Sequence, residues 1–219
     1  MNKIELSSKY DKLKVNCEQD VAKWNETSDE ITSLKKEIRD FYLNEQKRKC
    51  AYCRQEKLEN HGMTWDIEHI LPKSIYPQFI LEPENLAVAC KECNQAKSNK
   101  DPLSVQNKQQ TILRYPQKNT QYQIIHPHFD VYSQHIKIHR IGMQVIFIPI
   151  AGSPKGVFTF NTCNLLRFSY AYSGYGDTLD SGIKDVMFGF LDRCPPGTSK
   201  EKLKEMSGFM STELSNLDF

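Results

Sequence analysis

Two Cys-x-x-Cys pairs constrain this chain more than any other feature. Cys50-Ala51-Tyr52-Cys53 and Cys90-Lys91-Glu92-Cys93 have the spacing of zinc knuckles, in which a tight turn points two thiolates at one ion. Four sulfurs make a closed tetrahedral site, which holds a fold and leaves no open position for chemistry. Any chemistry in this stretch must therefore come from the polar residues between the pairs and just after them: Asp66, Glu68, His69, Asn85 and Asn94.

Around those cysteines stands an ordered set: Glu68-His69-Ile70 with Pro72, then Asn85-Leu86, then Cys93-Asn94 and Lys97. Together with Cys50, Cys53 and Cys90 it resembles the HNH endonuclease motif in its zinc-stabilised form, over residues 45 to 101. The resemblance implies a ββα-metal finger that cuts nucleic acid with one catalytic divalent ion. It also implies roles. His69 matches the general base, Glu68 and Asn94 match the metal-side ligands, and Asn85 matches the asparagine that fixes the loop and orients the base. Asp66 lies two residues before Glu68, on the same strand face, and reads either as a further ligand or as a surface acid. Two oxygen ligands with several waters suit Mg²⁺. Mn²⁺ or Ni²⁺ also fits, because the last ligand position holds Asn rather than His.

Formal net charge is only +2, and residues 45–100 carry nine Lys and Arg against eight Asp and Glu. Four thiolates with one Zn²⁺ subtract a further two, so this core is close to neutral before it takes up a second ion. Affinity for phosphates then depends on local patches, on the rest of the chain or on a partner. Lys47-Arg48-Lys49, Lys73 and Lys97 are the candidate phosphate contacts, and each also reads as an ordinary helix-end or surface cation.

MNKIELSSKYDKLK lacks the apolar core of a signal peptide, and no apolar run is long enough to span a bilayer. Cys17, Cys163 and Cys194 are isolated, and an odd total of seven cysteines is awkward for a secreted disulfide scaffold. A cytoplasmic protein with no membrane partner is expected.

The expected fold class is α+β: a zinc-stabilised ββα finger embedded between a leading helix and a mixed α+β C-terminal region. Three segments are expected: 1–46 helical, 47–102 the nuclease domain, and 103–219 for substrate or partner binding. Ser28 reads as the cap of a helix over 29–46, with Ile31, Leu34, Ile38, Phe41 and Tyr42 on one face. Residues 64–70 alternate as a strand, which turns His69 away from Asp66 and Glu68. The two can still flank one site where the strand ends, and the His69 Nδ1 then needs an orienting partner. A helix is expected to begin at or just after Cys93.

Further on, residues 134–140 and 145–150 suit a hairpin around Gly142, and Val157–Phe160 suits a third strand after a Ser153-Pro154 turn. Thr162 reads as the cap of a helix over 164–172. Helices are also expected over 180–192 and, behind a Thr198/Glu201 capping box, through Leu217. His126, His128, Asp130, His135 and His139 leave three readings open: a second metal site, a phosphate- or partner-docking surface, or packing and turn roles. On a strand, His135 and His139 would sit roughly 13 Å apart, too far for one small ion.

The leading helix, Cys-x-Tyr-Cys, Ile-Glu-His-Ile-x-Pro-Lys and Cys-x-x-Cys-Asn-x-x-Lys together resemble the PtuB-type HNH effectors of bacterial anti-phage (Septu and retron) systems, which act with an ATPase subunit. That resemblance implies an effector nuclease acting on double-stranded DNA under the control of a regulatory partner, with RNA left open. Two rivals stand beside it. One is a stand-alone restriction or homing-type endonuclease reading DNA through residues 103–219; the other is a non-catalytic zinc module that only binds nucleic acid or protein.

Overall fold

The computed structural model describes residues 1–6, 8–59, 63–104, 113–141 and 144–170. The expected helices over 180–192 and through Leu217, the Thr198 cap, Cys194, His61 and the Gly142 turn lie outside the described residues. The chain divides into two compact units, Met1–Asp130 and Val131–Phe219.

The first unit opens with a short helix, α1 (Asp11–Gln19), which buries Leu13 and Cys17. Helix α2 (Asp29–Glu45) follows as expected. The Ser28 side chain accepts from the backbone N–H of Ile31, Asp29 and Glu30 occupy the positive first turn, and Ile31, Leu34, Ile38, Tyr42 and Leu43 form the buried stripe. Strands β1 (Trp65–His69) and β2 (Leu86–Cys90) pair antiparallel, and α3 (Lys91–Lys97) runs on directly from β2. This is a ββα unit.

The register explains how α3 packs. Asp66 and Glu68 stand opposite Ala89 and Ala87, so the face that carries the acids has small neighbours on β2. Every residue of β2 is buried, which suits an uninterrupted apolar run with α2 and α3 both packed on the hairpin. Helix α3 starts two residues earlier than expected: Cys90 is its N-cap, so the second knuckle forms the first helical turn. Gln46, buried just past α2, joins that helix to the edge of β2. Its amide accepts from Val88 N at 2.9 Å and donates to Val88 O at 2.9 Å and Lys49 O at 2.8 Å.

In the second unit, β3 (Ile136–Ile141) and β4 (Gln144–Pro149) form the expected antiparallel hairpin. The expected third strand over Val157–Phe160 is instead part of helix α4 (Pro154–Thr162). Ser153 caps that helix, accepting from Gly156 N at 3.0 Å, and Pro154 sits in the first turn, where its missing N–H costs nothing. Thr162 is accordingly the end of a helix and not the start of one; after it, among the described residues, Arg167–Tyr170 is helical. Gly156 is required by a close approach, since a Cβ there would meet His135 O at 2.2 Å. No helix among the described residues is long and apolar enough to cross a membrane.

Candidate functional site

The first knuckle sits at the tip of a tight loop closed by the Lys49–Glu56 bridge, by Cys50 N donating to Gln55 O and by Arg54 N donating to Cys50 O. Arg54 takes a left-handed backbone (φ 56°) to make that turn. All four cysteines are buried, with their sulfurs within 4.8 Å of one another. Cys53 Sγ and Cys90 Sγ are 3.8 Å apart. Four sulfurs at about 2.3 Å from one zinc ion would be separated by roughly that distance. The backbone N–H groups of Tyr52 and Cys90 donate to Cys50 Sγ at 3.4 and 3.3 Å. Burial opposes ionisation of Cys50, yet hydrogen bonds from Cys53, Cys90 and Cys93 hold its pKa well below the usual thiol range. The donor set therefore fits structural zinc. Among the described residues no other group of three His, Cys, Asp or Glu side chains could hold an ion.

His69 ends β1 and is buried. A carbonyl can only accept, so the Nε2–H donates to Ile80 O at 3.0 Å, and this fixes the tautomer with the lone pair on Nδ1. Orientation thus comes through Nε2 rather than the Nδ1 partner anticipated from sequence. Trp24 packs edge-on against the imidazole, with ring centres 5.0 Å apart. Burial, then Lys73, push the His69 pKa down to about 3, with lesser help from Lys97 and Lys35 and against the opposing Ile80 bond. The ring is neutral throughout the physiological range.

Asn85 is fully buried and holds the loop that carries Ile80. Its Oδ1 accepts from Leu71 N at 2.7 Å, and its Nδ2 donates to Leu71 O at 3.2 Å and Phe79 O at 2.9 Å. One side chain thereby replaces a stretch of backbone pairing, and the carbonyl that orients His69 is the neighbour of one it binds.

The opposite face of β1 carries the acids. Glu68 is buried, and its Oε1 receives Lys97 Nζ at 2.7 Å and Tyr52 OH at 2.8 Å. Asp66 is half-buried, and its two oxygens meet Lys91 Nζ and Asn94 Nδ2, each at 2.9 Å. Asn94 therefore lies beside Asp66, while Glu68 faces Lys97. The His69 ring does not share a hydrogen-bonded cluster with either acid; the link is Lys97, whose Nζ also donates to the His69 backbone carbonyl at 3.1 Å.

Lys97, a candidate phosphate contact, is only 1% exposed, and its ammonium is paired with the buried Glu68 carboxylate. Lys47, Arg48, Lys49 and Lys73 are exposed or half-buried. Lys47 and Arg48 both have left-handed backbones (φ 50° and 55°), and Arg48 Nη1 donates to Leu58 O at 2.6 Å.

Among the described residues, the histidine run forms no metal-holding group. His126 is fully buried, stacks on Phe129 at 4.1 Å and meets the Tyr115 hydroxyl at 2.9 Å. His128 Nε2 bonds Leu86 O at 2.8 Å, and His135 Nδ1 bonds Ser153 Oγ at 2.7 Å. Sequence reasoning missed Tyr52 and Trp24 as neighbours of Glu68 and His69. Tyr52 stood in plain view inside the first knuckle, but nothing local says what its hydroxyl reaches.

A ββα unit clasped by four thiolates, with Glu-His at the end of its first strand and Asn just after the last cysteine, defines a class. Residues 50–100 match the family model described as HNH endonuclease. The chain is also similar to the Septu protein PtuB of Bacillus thuringiensis, at 31% identity over 90 residues, 41% of this chain and 28% of that protein. It thus spans less than a third of that relative's length. No solved structure matches.

Proposed function

We propose that the protein is a metal-dependent endonuclease that hydrolyses phosphodiester bonds, in DNA first, as the effector of an anti-phage defence system, with structural zinc in the four-cysteine site. The observation that carries the reading is His69: a neutral, buried imidazole at the end of β1, its Nε2–H tied to Ile80 O and its Nδ1 lone pair left as the base. It is the general base that takes a proton from the attacking water. Its depressed pKa makes it a weak base while the site is empty of anions. Phosphates arriving beside Lys35 and Lys73 would offset those cations and raise it.

Glu68 and Asn94, with Asp66 beside them, are the oxygen donors assigned to the catalytic divalent ion, and Asn85 is a positioning residue. Oxygen ligands on a partly exposed face suit Mg²⁺, with Mn²⁺ or Ni²⁺ as alternatives. When bound, such an ion stabilises charge on the phosphorane and on the departing oxygen. Lys97 and Tyr52 both sit on Glu68 Oε1, which leaves Oε2 as the oxygen for the ion. Similarity to the Septu protein PtuB supports the defence role and a regulatory partner, such as an ATPase subunit.

Cleavage of mixed DNA and RNA by the full chain with each metal tests the reading. His69→Ala is expected to lower the rate by roughly 10²–10⁴-fold while keeping metal affinity. Glu68→Ala is expected to lose both. If no substrate is nicked with any of the three ions, alone or with the partner subunit, the chain is a binding module and the proposal is wrong.

A further inference from the structure

A groove of about 1000 Å³ runs along α2 and past its end. Lys35, Lys36, Arg39, Lys47 and Arg48 line it, against Glu26 and Asp40. Lys35, Lys36 and Arg39 stand on neighbouring turns of α2, and Lys47 and Arg48 follow just past its end. Asp40 is already paired with Lys36 at 2.6 Å, and Glu26 with Lys23 at 2.7 Å. Lys35, Arg39 and Lys47 have no carboxylate partner among the described residues, and the buried Nε of Arg39 has no hydrogen-bond acceptor. Positive charge in this groove is therefore surplus.

The groove also leads somewhere. Lys35 Nζ lies 5.2 Å over the Trp24 ring, and Trp24 packs against the His69 imidazole. Lys35 in turn feels both Lys73 and Arg39 as like charges, which with burial lower its pKa. At the far end, two consecutive left-handed residues, Lys47 and Arg48, turn the chain from α2 into the first knuckle. Such strain in non-glycine residues persists where the surroundings hold it and often marks a functional site.

We propose that this groove is the track for the phosphodiester backbone of the substrate, with Lys35, Arg39 and Lys47 as its phosphate contacts and Lys35 at the end nearest His69. The inference rests on the nuclease reading of the same unit. An acidic protein surface would also be drawn to the charge. Lys35 lies over the Trp24 ring that packs against His69, so one end of the groove stands beside the proposed base, and this favours nucleic acid.

The test is binding of the full zinc-loaded chain to fluorescent duplex DNA, single-stranded DNA and RNA across a salt series, with no catalytic metal added. The triple variant Lys35→Gln/Arg39→Gln/Lys47→Gln should lose roughly tenfold or more in affinity, and the slope of log K against log salt should fall by about 2 to 3. The control Lys3→Gln/Lys12→Gln/Lys118→Gln removes equal charge outside the groove and should keep the slope. A triple variant with the wild-type slope overturns the proposal, as does polyglutamate displacing nucleic acid at equal charge. Binding is read without turnover, so absence of cleavage in the wild type counts against the nuclease reading alone. Robust cleavage with an unchanged slope counts against the groove alone.

Discussion

On one face of β1 the His69 imidazole is packed against Trp24, and the charges that act on it most strongly are the lysines 73, 97 and 35. On the other face, Asp66 and Glu68 each meet a lysine of α3, at 2.9 and 2.7 Å. A five-residue strand thus separates a base kept uncharged from acids paired with lysines. The difference teaches how a short hairpin can give adjacent residues opposite surroundings. Alternation sends their side chains apart, and each face is then finished by a different helix or loop. Lys97 bonds both Glu68 Oε1 and the His69 backbone carbonyl.

The largest effect should come from abolishing both faces together. Stripping zinc, or substituting Cys93→Ser, removes a site whose apparent binding energy is of order 10 kcal/mol or more in small zinc domains. Residues 50–97 should lose cooperative unfolding, read by circular dichroism with zinc release at one ion per chain. Retention of a cooperative transition without zinc would mean that the hairpin stands without its clasp.

Next is the charged face. Lys97→Met leaves the Glu68 carboxylate buried without its cation, and breaking such a pair from one side costs about 3–5 kcal/mol. Urea unfolding should register that loss, and Mg²⁺ or Mn²⁺ should restore part of it if Glu68 accepts the ion once the ammonium is gone. Glu68→Gln should be destabilised without such rescue. Equal responses of the two variants to metal would remove Glu68 from the ligand set.

On the neutral face, Asn85→Ala frees Leu71 N, Leu71 O and Phe79 O from their shared partner. Buried groups left unpaired cost about 1–3 kcal/mol each where water cannot reach them. The expected signature is loss of stability together with a slower, less oriented His69, visible as broadening of its ring resonances. A sharp, unchanged imidazole signal would show that Ile80 is held by other means.

The smallest effect is titration. Because the His69 pKa is depressed in the folded chain, to about 3 against 6.5 unfolded, the unfolded state binds more protons between those values. The stability it contributes is complete above pH 6.5 and is lost as pH falls towards 3. Between pH 6.5 and 5 the loss should be about 2 kcal/mol. His69→Ala should lack that share of the slope when compared at equal zinc content; an identical pH profile would mean that the ring is not buried as a neutral group.

The knuckles, α2 and β1 were legible because their signals are local, while the ββα arrangement was implied by the family resemblance. Knuckle spacing, the Ser28 cap, the apolar stripe of α2 and the alternation over residues 64–70 each report on neighbours within a few positions. The same locality explains the error at Val157–Phe160, where β-branched and aromatic residues suggested a strand. The Ser-Pro start is equally a helix signal, capping residue followed by proline in the first turn, and it won. Nothing local could have told that Lys97 would be buried against Glu68, that Tyr52 would reach the same oxygen, or that Trp24 would close over His69. Those pairings join residues far apart along the chain.

By itself, the sequence determined which residues could bind zinc, where the hairpin and its flanking helices would form, and that Glu68 and His69 would leave β1 in opposite directions. The helices and β1 follow from backbone periodicity and the zinc ligands from spacing, which need no distant partner, while the hairpin was implied by the family resemblance. Only the tertiary structure decided what each side chain would meet. Asp66 rather than Glu68 stands beside Asn94, Lys97 lies inside, and surplus cations gather along α2, because charge is balanced across packed elements and not along the chain.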